Sequence, residues 1–148
     1  MKTISTLTNN DLNEAYQVEL LCHPIPWSKA TFTSNQGDRY LNKKISQNNQ
    51  LVGFLICQVV IDEATLFNIA IHPDFQKQGL GSTLLTQLIN ELEQQNIHTL
   101  WLEVRASNQA AIALYQQMGF NEITIRKNYY PTAQGNEDAI IMAYTISL

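Results

Sequence analysis

The longest apolar stretch, Leu51 to Ile61, is interrupted only by Gly53 and Gln58. Apolar residues at consecutive positions predict a strand covered on both faces. Asp62-Glu63 turns the chain, and Ala64 to Ile71 reads as a second strand, antiparallel to the first. Lys2 to Leu7 and Tyr40 to Ile45 predict shorter strands, with Asn48-Asn49 as a turn. The pattern then changes period. Leu80, Leu84, Leu85, Leu88 and Leu92 share one side of a helix running from Leu80 to about Glu93. Asn10 or Asp11 is placed to cap a helix reaching Leu21, and Ser28 a short one through Phe32, broken by Gly37-Asp38. The intervening His23–Ser28 segment carries Pro24 and Pro26, which bar helix and central strand alike. Asn108 to Met118 is the last predicted helix, stopped by Gly119. Thr99 to Val104, Phe120 to Asn128 and Asp138 to Ile146 complete the strands, with a loop over Tyr129–Asn136.

The resulting order is β-α-α-β-β-β-α-β-α-β-β. It predicts a mixed sheet with helices on both faces, α/β or α+β in class. Thr99–Val104 should run parallel to Ala64–Ile71, because a helix connects them. The 148 residues fit one domain over residues 1–148, without repeats or linkers.

The charge balance narrows the function. A net charge of −4 offers no basic face for direct nucleic-acid binding. No apolar run is long enough to cross a bilayer, and no signal peptide is evident, so a reduced cytoplasmic location is expected. Cys22 and Cys57 lack metal spacing, as do His23, His72 and His98, so no metal is expected. Cys57 reads as a small core residue.

Candidate chemistry concentrates in three places. Asp74-Phe-Gln-Lys-Gln-Gly-Leu-Gly-Ser82 joins a buried strand to the start of a helix. Such a turn aims unpaired backbone N–H groups and the helix dipole at one point, which suits a phosphate. Gly79 and Gly81 let a ligand approach the backbone with no Cβ in the way. Neither a Walker-type loop nor a dinucleotide fingerprint is present. An ordinary tight strand-to-helix loop is the alternative.

Glu103 lies in Leu100-Trp-Leu-Glu-Val104, where alternation puts Trp101 and Glu103 on one face. A buried carboxylate there would have a raised pKa and suit a general base. An edge glutamate paired with Arg105 or another surface cation is the alternative that the strand alone favours. Tyr115 shares a helical face with Ala111, Leu114 and Met118, as a core tyrosine would. Asn108 is a natural helix N-cap.

The string Gln76-Lys77-Gln78-Gly79-Leu80-Gly81 resembles the pyrophosphate-binding signature of the GCN5-related N-acetyltransferase superfamily. Asn108-x-x-Ala111-x-x-x-Tyr115-x-x-x-Gly119-Phe120 resembles its second block. The closer resemblance is to the bacterial members that acetylate the N-terminal alanine of a small-subunit ribosomal protein. It rests on Ser34–Gly37, Asp62–Ala70, Thr99–Asn108, Asn128–Pro131 and Glu137–Met142.

The resemblance implies acetyl-coenzyme A as cosubstrate and a ribosomal protein as partner. It implies Glu103 as general base and Tyr115 as general acid. The backbone of Ile69, Ala70 and Ile71 would hold the pantetheine arm. Gln76 and the amides of Lys77, Gln78, Gly79, Leu80, Gly81 and Ser82 would hold the pyrophosphate. Asn108 would contact the cofactor arm. Trp27 and Tyr130 would wall a slot for a small first residue or act as hydrophobic plugs. Glu137 or Asp138 would meet a basic acceptor or stand as solvated charges. Acetylation of a small amine, and a non-catalytic acetyl-coenzyme A-binding module, are the competing readings.

Overall fold

The computed structural model describes residues 1–146. Strands β1 (Lys2–Thr6), β2 (Lys43–Gln47), β3 (Gln50–Val60), β4 (Glu63–Ile71), β5 (Thr99–Arg105), β6 (Asn121–Thr132) and β7 (Gly135–Thr145) form one seven-stranded sheet. Its order is β1-β2-β3-β4-β5-β7-β6. All pairs are antiparallel except β4–β5, which is parallel, as expected of strands joined through a helix. Helices α1 (Leu12–Cys22) and α2 (Lys29–Ser34) cover one face, and α3 (Leu80–Gln94) and α4 (Gln109–Met118) the other.

The leucine stripe packs as its spacing predicts. Leu80, Leu84, Leu85, Leu88 and Leu92 are all buried against Val52, Leu55, Leu66, Leu100 and Leu102. On the opposite face, Ala15 and Val18 of α1 and Phe32 of α2 enclose Phe54, Ile56 and Ala70. Phe32 meets Tyr16, Trp27 and Phe54 in tilted or edge-on contacts with centroids 5.2–6.3 Å apart, the geometry aromatic pairs favour.

Two expectations are corrected and a third is met in part. The second strand covers Lys43–Gln47 instead of Tyr40–Ile45, and Tyr40 makes only an isolated bridge to Gln58. Asn42 occupies the gap: its side chain accepts from the Cys57 amide and donates to the Asn35 carbonyl, adding to the backbone bonds from Leu41 N–H to the Cys57 carbonyl and from Val59 N–H to the Arg39 carbonyl that hold the segment outside a regular ladder. Asp11 stands at the cap position of α1 as expected, but its side chain makes no cap bond to that helix. Asp11 accepts from both the backbone N–H and the hydroxyl of Thr8, and it pairs with Lys44. Finally, Tyr129–Pro131 belongs to β6. That strand bulges between Arg126 and Tyr130 and resumes pairing at Tyr130↔Glu137, leaving only a tight turn before β7. Pro131 is tolerated because β6 lies at the sheet edge.

Gly53 sits where β2, β3 and β4 crowd together. A Cβ there would lie 2.9 Å from the Ala70 carbonyl oxygen and 3.0 Å from Ile45 Cγ2. Gly53→Ala should therefore destabilise the fold by about 1–3 kcal/mol through overpacking. The effect should appear as a lower urea midpoint at unchanged m-value. An unchanged midpoint would mean that the strands can part there at no cost.

Candidate active site

The sheet does not stay closed. Pairing between β4 and β5 runs from Glu63↔Thr99 to Leu66↔Leu102 and then stops. Its cause lies across β4. Opposite β3, Ile56 pairs Asn68 and Cys57 pairs Leu66, so Phe67 is an extra residue, a β-bulge. A bulge bends its strand and slips side-chain alternation by one position. Ala64 and Leu66 accordingly pack with the α3 side, whereas Asn68 and Ala70 turn toward α1. Past the bulge, the β5-facing edge of β4 has no strand partner, and a cleft opens.

Two adjoining cavities fill this opening. One, of about 550 Å³, is lined by Ile69, Ala70, Ile71, Gln76, Lys77, Gly79, Leu80, Gly81 and Ser82. The other, of about 660 Å³, is lined by Glu103, Arg105, Tyr130 and the Pro24–Trp27 segment. Ile69, Asn108, Ala111 and Tyr115 border both. The structure thus brings the sequence-predicted site residues to one continuous cleft, apart from Gln78, an exposed turn residue, and Glu137 and Asp138 of the hairpin, which lie outside both linings.

The first cavity has the form of an anion cradle. Gly79 caps α3 at φ +78°, and Lys77 is also left-handed at φ +63°. The chain thereby folds so that the first amides of α3, which have no intrahelical partners, face one region. A Cβ at Gly79 would meet nothing within 4 Å, and one at Gly81 would make ordinary contacts with Leu114 at 3.6 Å and Ile71 at 3.9 Å. The glycine at 81 is therefore not required by protein packing, and the space above it is left for a ligand. Gln76 folds back, and its Nε2 donates to the Ile71 carbonyl at 2.9 Å. Asn108 caps α4: its Oδ1 accepts from the Ala111 amide at 3.2 Å.

In the second cavity, Glu103 and Trp101 share a face, and Leu100, Leu102 and Val104 are buried on the other. Glu103 is not buried as a desolvated base would be. Its side chain is 32% exposed, and Oε1 lies 3.8 Å from Arg126 Nε. Arg126 in turn lies over the Tyr129 ring at 5.0 Å, and Arg105 over Tyr130 at 4.4 Å. Burial, then the negative charge of Glu103 and the neighbouring Tyr129, pushes the Tyr130 phenol up to about 12 against the pull of both arginines. Tyr115 is buried, and burial followed by Tyr130 raises its phenol well above the ordinary range. Both phenols stay protonated at neutral pH. Cys22 is likewise held as a thiol, pushed up to about 11 by burial and by Glu19, while its Sγ donates to the Ile71 carbonyl at 3.0 Å.

Glu137 and Asp138 hold the hairpin. Glu137 accepts from the Ser107 amide at 3.0 Å, which with Arg105 keeps its carboxyl below the usual range. Asp138 accepts from the Asn128 amide and lies 3.8 Å from Lys127.

Sequence reasoning passed over one group. Glu19, only 1% exposed, accepts from the Trp27 amide at 2.9 Å and from Asn68 Nδ2 at 2.8 Å. His23 Nε2 lies 3.0 Å from Asn68 Oδ1. Tyr16 donates to the Trp27 carbonyl, so both polar groups of the Trp27 backbone are tied to α1. A signal was present: Glu19 falls on the stripe of Ala15, Val18 and Cys22, and Asn68 interrupts an apolar strand. Glu19→Ala leaves two buried donors without an acceptor and should cost about 3 kcal/mol, seen as a reduced urea midpoint. A midpoint within experimental scatter of the unsubstituted chain would mean that the loop is held elsewhere.

Comparison with known proteins agrees with this geometry. The model of the acetyltransferase (GNAT) family matches residues 10–120. The chain is 62% identical over 148 residues, covering 100% of both chains, to the [ribosomal protein bS18]-alanine N-acetyltransferase of Escherichia coli strain K12. It is 52% identical over 144 residues to the Haemophilus influenzae protein of the same name, covering 97% of this chain and 98% of that one. The crystal structure of the ribosomal-protein-S18-alanine N-acetyltransferase from Escherichia coli superimposes with a TM-score of 0.97, covering 100% of this chain and 96% of that chain. With the splayed strands, the glycine turn and this full-length likeness in agreement, the chain belongs to the acetyltransferase (GNAT) family.

Proposed function

We propose that this chain moves acetyl from acetyl-coenzyme A directly to the α-amine of the N-terminal alanine of ribosomal protein bS18. One observation carries the reading. The glycine turn, Tyr115 and Glu103 line one continuous cleft, in a chain alike over its whole length to enzymes named for that reaction.

The anionic end of the cosubstrate suits the amides of Gly79–Ser82, with open space beside Gly79. The open edge of β4 at Ile69–Ile71 offers backbone groups to an extended amide-bearing arm, in the manner of an added strand. The acceptor enters from the second cavity, beside Trp27 and Tyr130.

Proton accounting favours an α-amine. With a pKa near 8 it costs about 1 kcal/mol to deprotonate at pH 7, against about 4.6 for a lysine near 10.4. One partly exposed carboxylate, Glu103, acting directly or through water, suits the smaller task. An N–H near Ile69 stabilises the oxyanion as the amine adds to the thioester carbonyl. The leaving sulfur then takes the hydrogen of Tyr115. Because burial holds that phenol protonated, its O–H is present at every working pH and hydrogen-bonds the sulfur as negative charge develops. Cys22 remains a thiol, which disfavours a covalent acetyl-enzyme.

Transfer from labelled acetyl-coenzyme A should go to a peptide with a free N-terminal alanine. The same peptide with a blocked N-terminus and one free lysine should stay unlabelled. Labelling mainly of the lysine, or of neither peptide, would reject the reading. Glu103→Gln and Tyr115→Phe should each lower kcat/KM by about 100-fold or more, with thermal stability retained; full activity in either would remove that residue from the chemistry. Gly81→Ala, whose Cβ makes only ordinary contacts with Leu114 and Ile71, should leave the fold intact and weaken acetyl-coenzyme A binding about tenfold by narrowing the cradle. Unaltered affinity would place the anion elsewhere.

A further inference from the structure

The Glu19 network fixes more than a loop. Both carboxylate oxygens of Glu19 accept from N–H donors: Oε2 from the Trp27 amide and Oε1 from Asn68 Nδ2. The orientation of the Asn68 amide is then determined, and its oxygen faces His23 Nε2 at 3.0 Å. An amide oxygen only accepts, so His23 Nε2 carries the hydrogen. The 3.4 Å approach of the same nitrogen to Glu19 Oε1 requires the same hydrogen. In its neutral form the ring therefore has a bare Nδ1, a hydrogen-bond acceptor. Among the described residues, Gln47 Oε1 is the one buried side-chain nitrogen or oxygen without a partner. Nδ1, unpartnered among those residues, is thus not fully buried. His23 borders both cavities, together with Ile69, Asn108 and Tyr115.

We propose that His23 Nδ1 accepts a hydrogen bond from the acceptor amine and holds the nucleophilic nitrogen at the junction of the two cavities. Other groups there have other work. Glu103 is held near Arg126. The phenol of Tyr115 is protonated and donates to sulfur in the reading above. Amides of the cosubstrate arm have the open β4 edge for partners. The buried Glu19 carboxylate, linked to His23 through Asn68, fixes the ring and with it the side on which Nδ1 lies. The inference rests on the acetyl-transfer reading but not on which amine is acetylated.

Two side chains separate the ring's two nitrogens. Gln at position 23 places its amide nitrogen near that of Nε2, keeping the bond to Asn68, and offers no acceptor at the Nδ1 position. Asn places an amide oxygen near Nδ1 and gives up the bond to Asn68. His23→Gln should keep its thermal midpoint and its affinity for acetyl-coenzyme A, yet lose about 10–100-fold in kcat/KM for the acceptor. His23→Asn should retain more activity than His23→Ala. Unchanged kcat/KM in His23→Gln, or equal losses in His23→Asn and His23→Ala, would overturn the proposal. So would a loss of cosubstrate affinity in His23→Gln as large as the loss in kcat/KM, since the contact would then be to the cofactor arm. The comparison is made on whichever amine the unsubstituted enzyme acetylates fastest. A preference for lysine or a small amine would count against the α-amine reading and leave the His23 result to be judged separately.

Discussion

The site depends on the parting of β4 from β5 beyond Leu66↔Leu102. Within an otherwise hydrogen-bonded sheet, several rungs of pairing are absent, each worth about 0.5–1.5 kcal/mol net. The bulge at Phe67 makes this arrangement stable rather than frayed. By slipping the alternation, it turns Asn68 toward α1, where a buried carboxylate anchors it, and leaves Ile69 and Ile71 against the core on the α3 side. The opening is therefore braced from both layers. Gly53 contributes from the far side by letting β3 lie close against Ala70 and Ile71.

Charge and burial then sort the groups around the opening into distinct chemical roles. The phenols and the Cys22 thiol are pushed upward by burial and stay neutral. Glu137 is pulled down by hydrogen bonds, Asp138 is occupied within the hairpin, and both keep Ser107 and Asn128 in register beside the cleft. Glu103 remains partly exposed on the face of β5 that looks into the cleft. A protonated phenol on one side and an accessible carboxylate on the other suit direct transfer from a thioester, whose sulfur leaves with negative charge, to an amine.

Much of this was legible in the sequence, for physical reasons. The leucine spacing of α3, the glycine turn and the parallel return through β5 follow from local periodicity and backbone stereochemistry. The order of all the predicted helices and strands is the order found. What was missed is long-range. The extension of β6 through Pro131 depends on its place at the sheet edge, which no local pattern reveals. The start of β2 depends on Asn42 reaching Cys57, fifteen positions on. Glu103 was read as either buried or paired with Arg105 or another cation; the second holds, but the cation, Arg126, is brought over by the strand order β5-β7-β6 and could not be named from the sequence. The Glu19–Asn68 bond joins residues 49 apart. It was visible only as two polar residues in apolar surroundings.

Amide hydrogen exchange with and without acetyl-coenzyme A tests the central claim most directly, namely that the unpaired β4 edge and the glycine turn together form the cosubstrate seat. Saturating cosubstrate should slow exchange within Phe67–Ile71 and Gly79–Ser82, while β1 and β2 are unchanged. Protection confined to other segments, or binding without protection along β4, would contradict it.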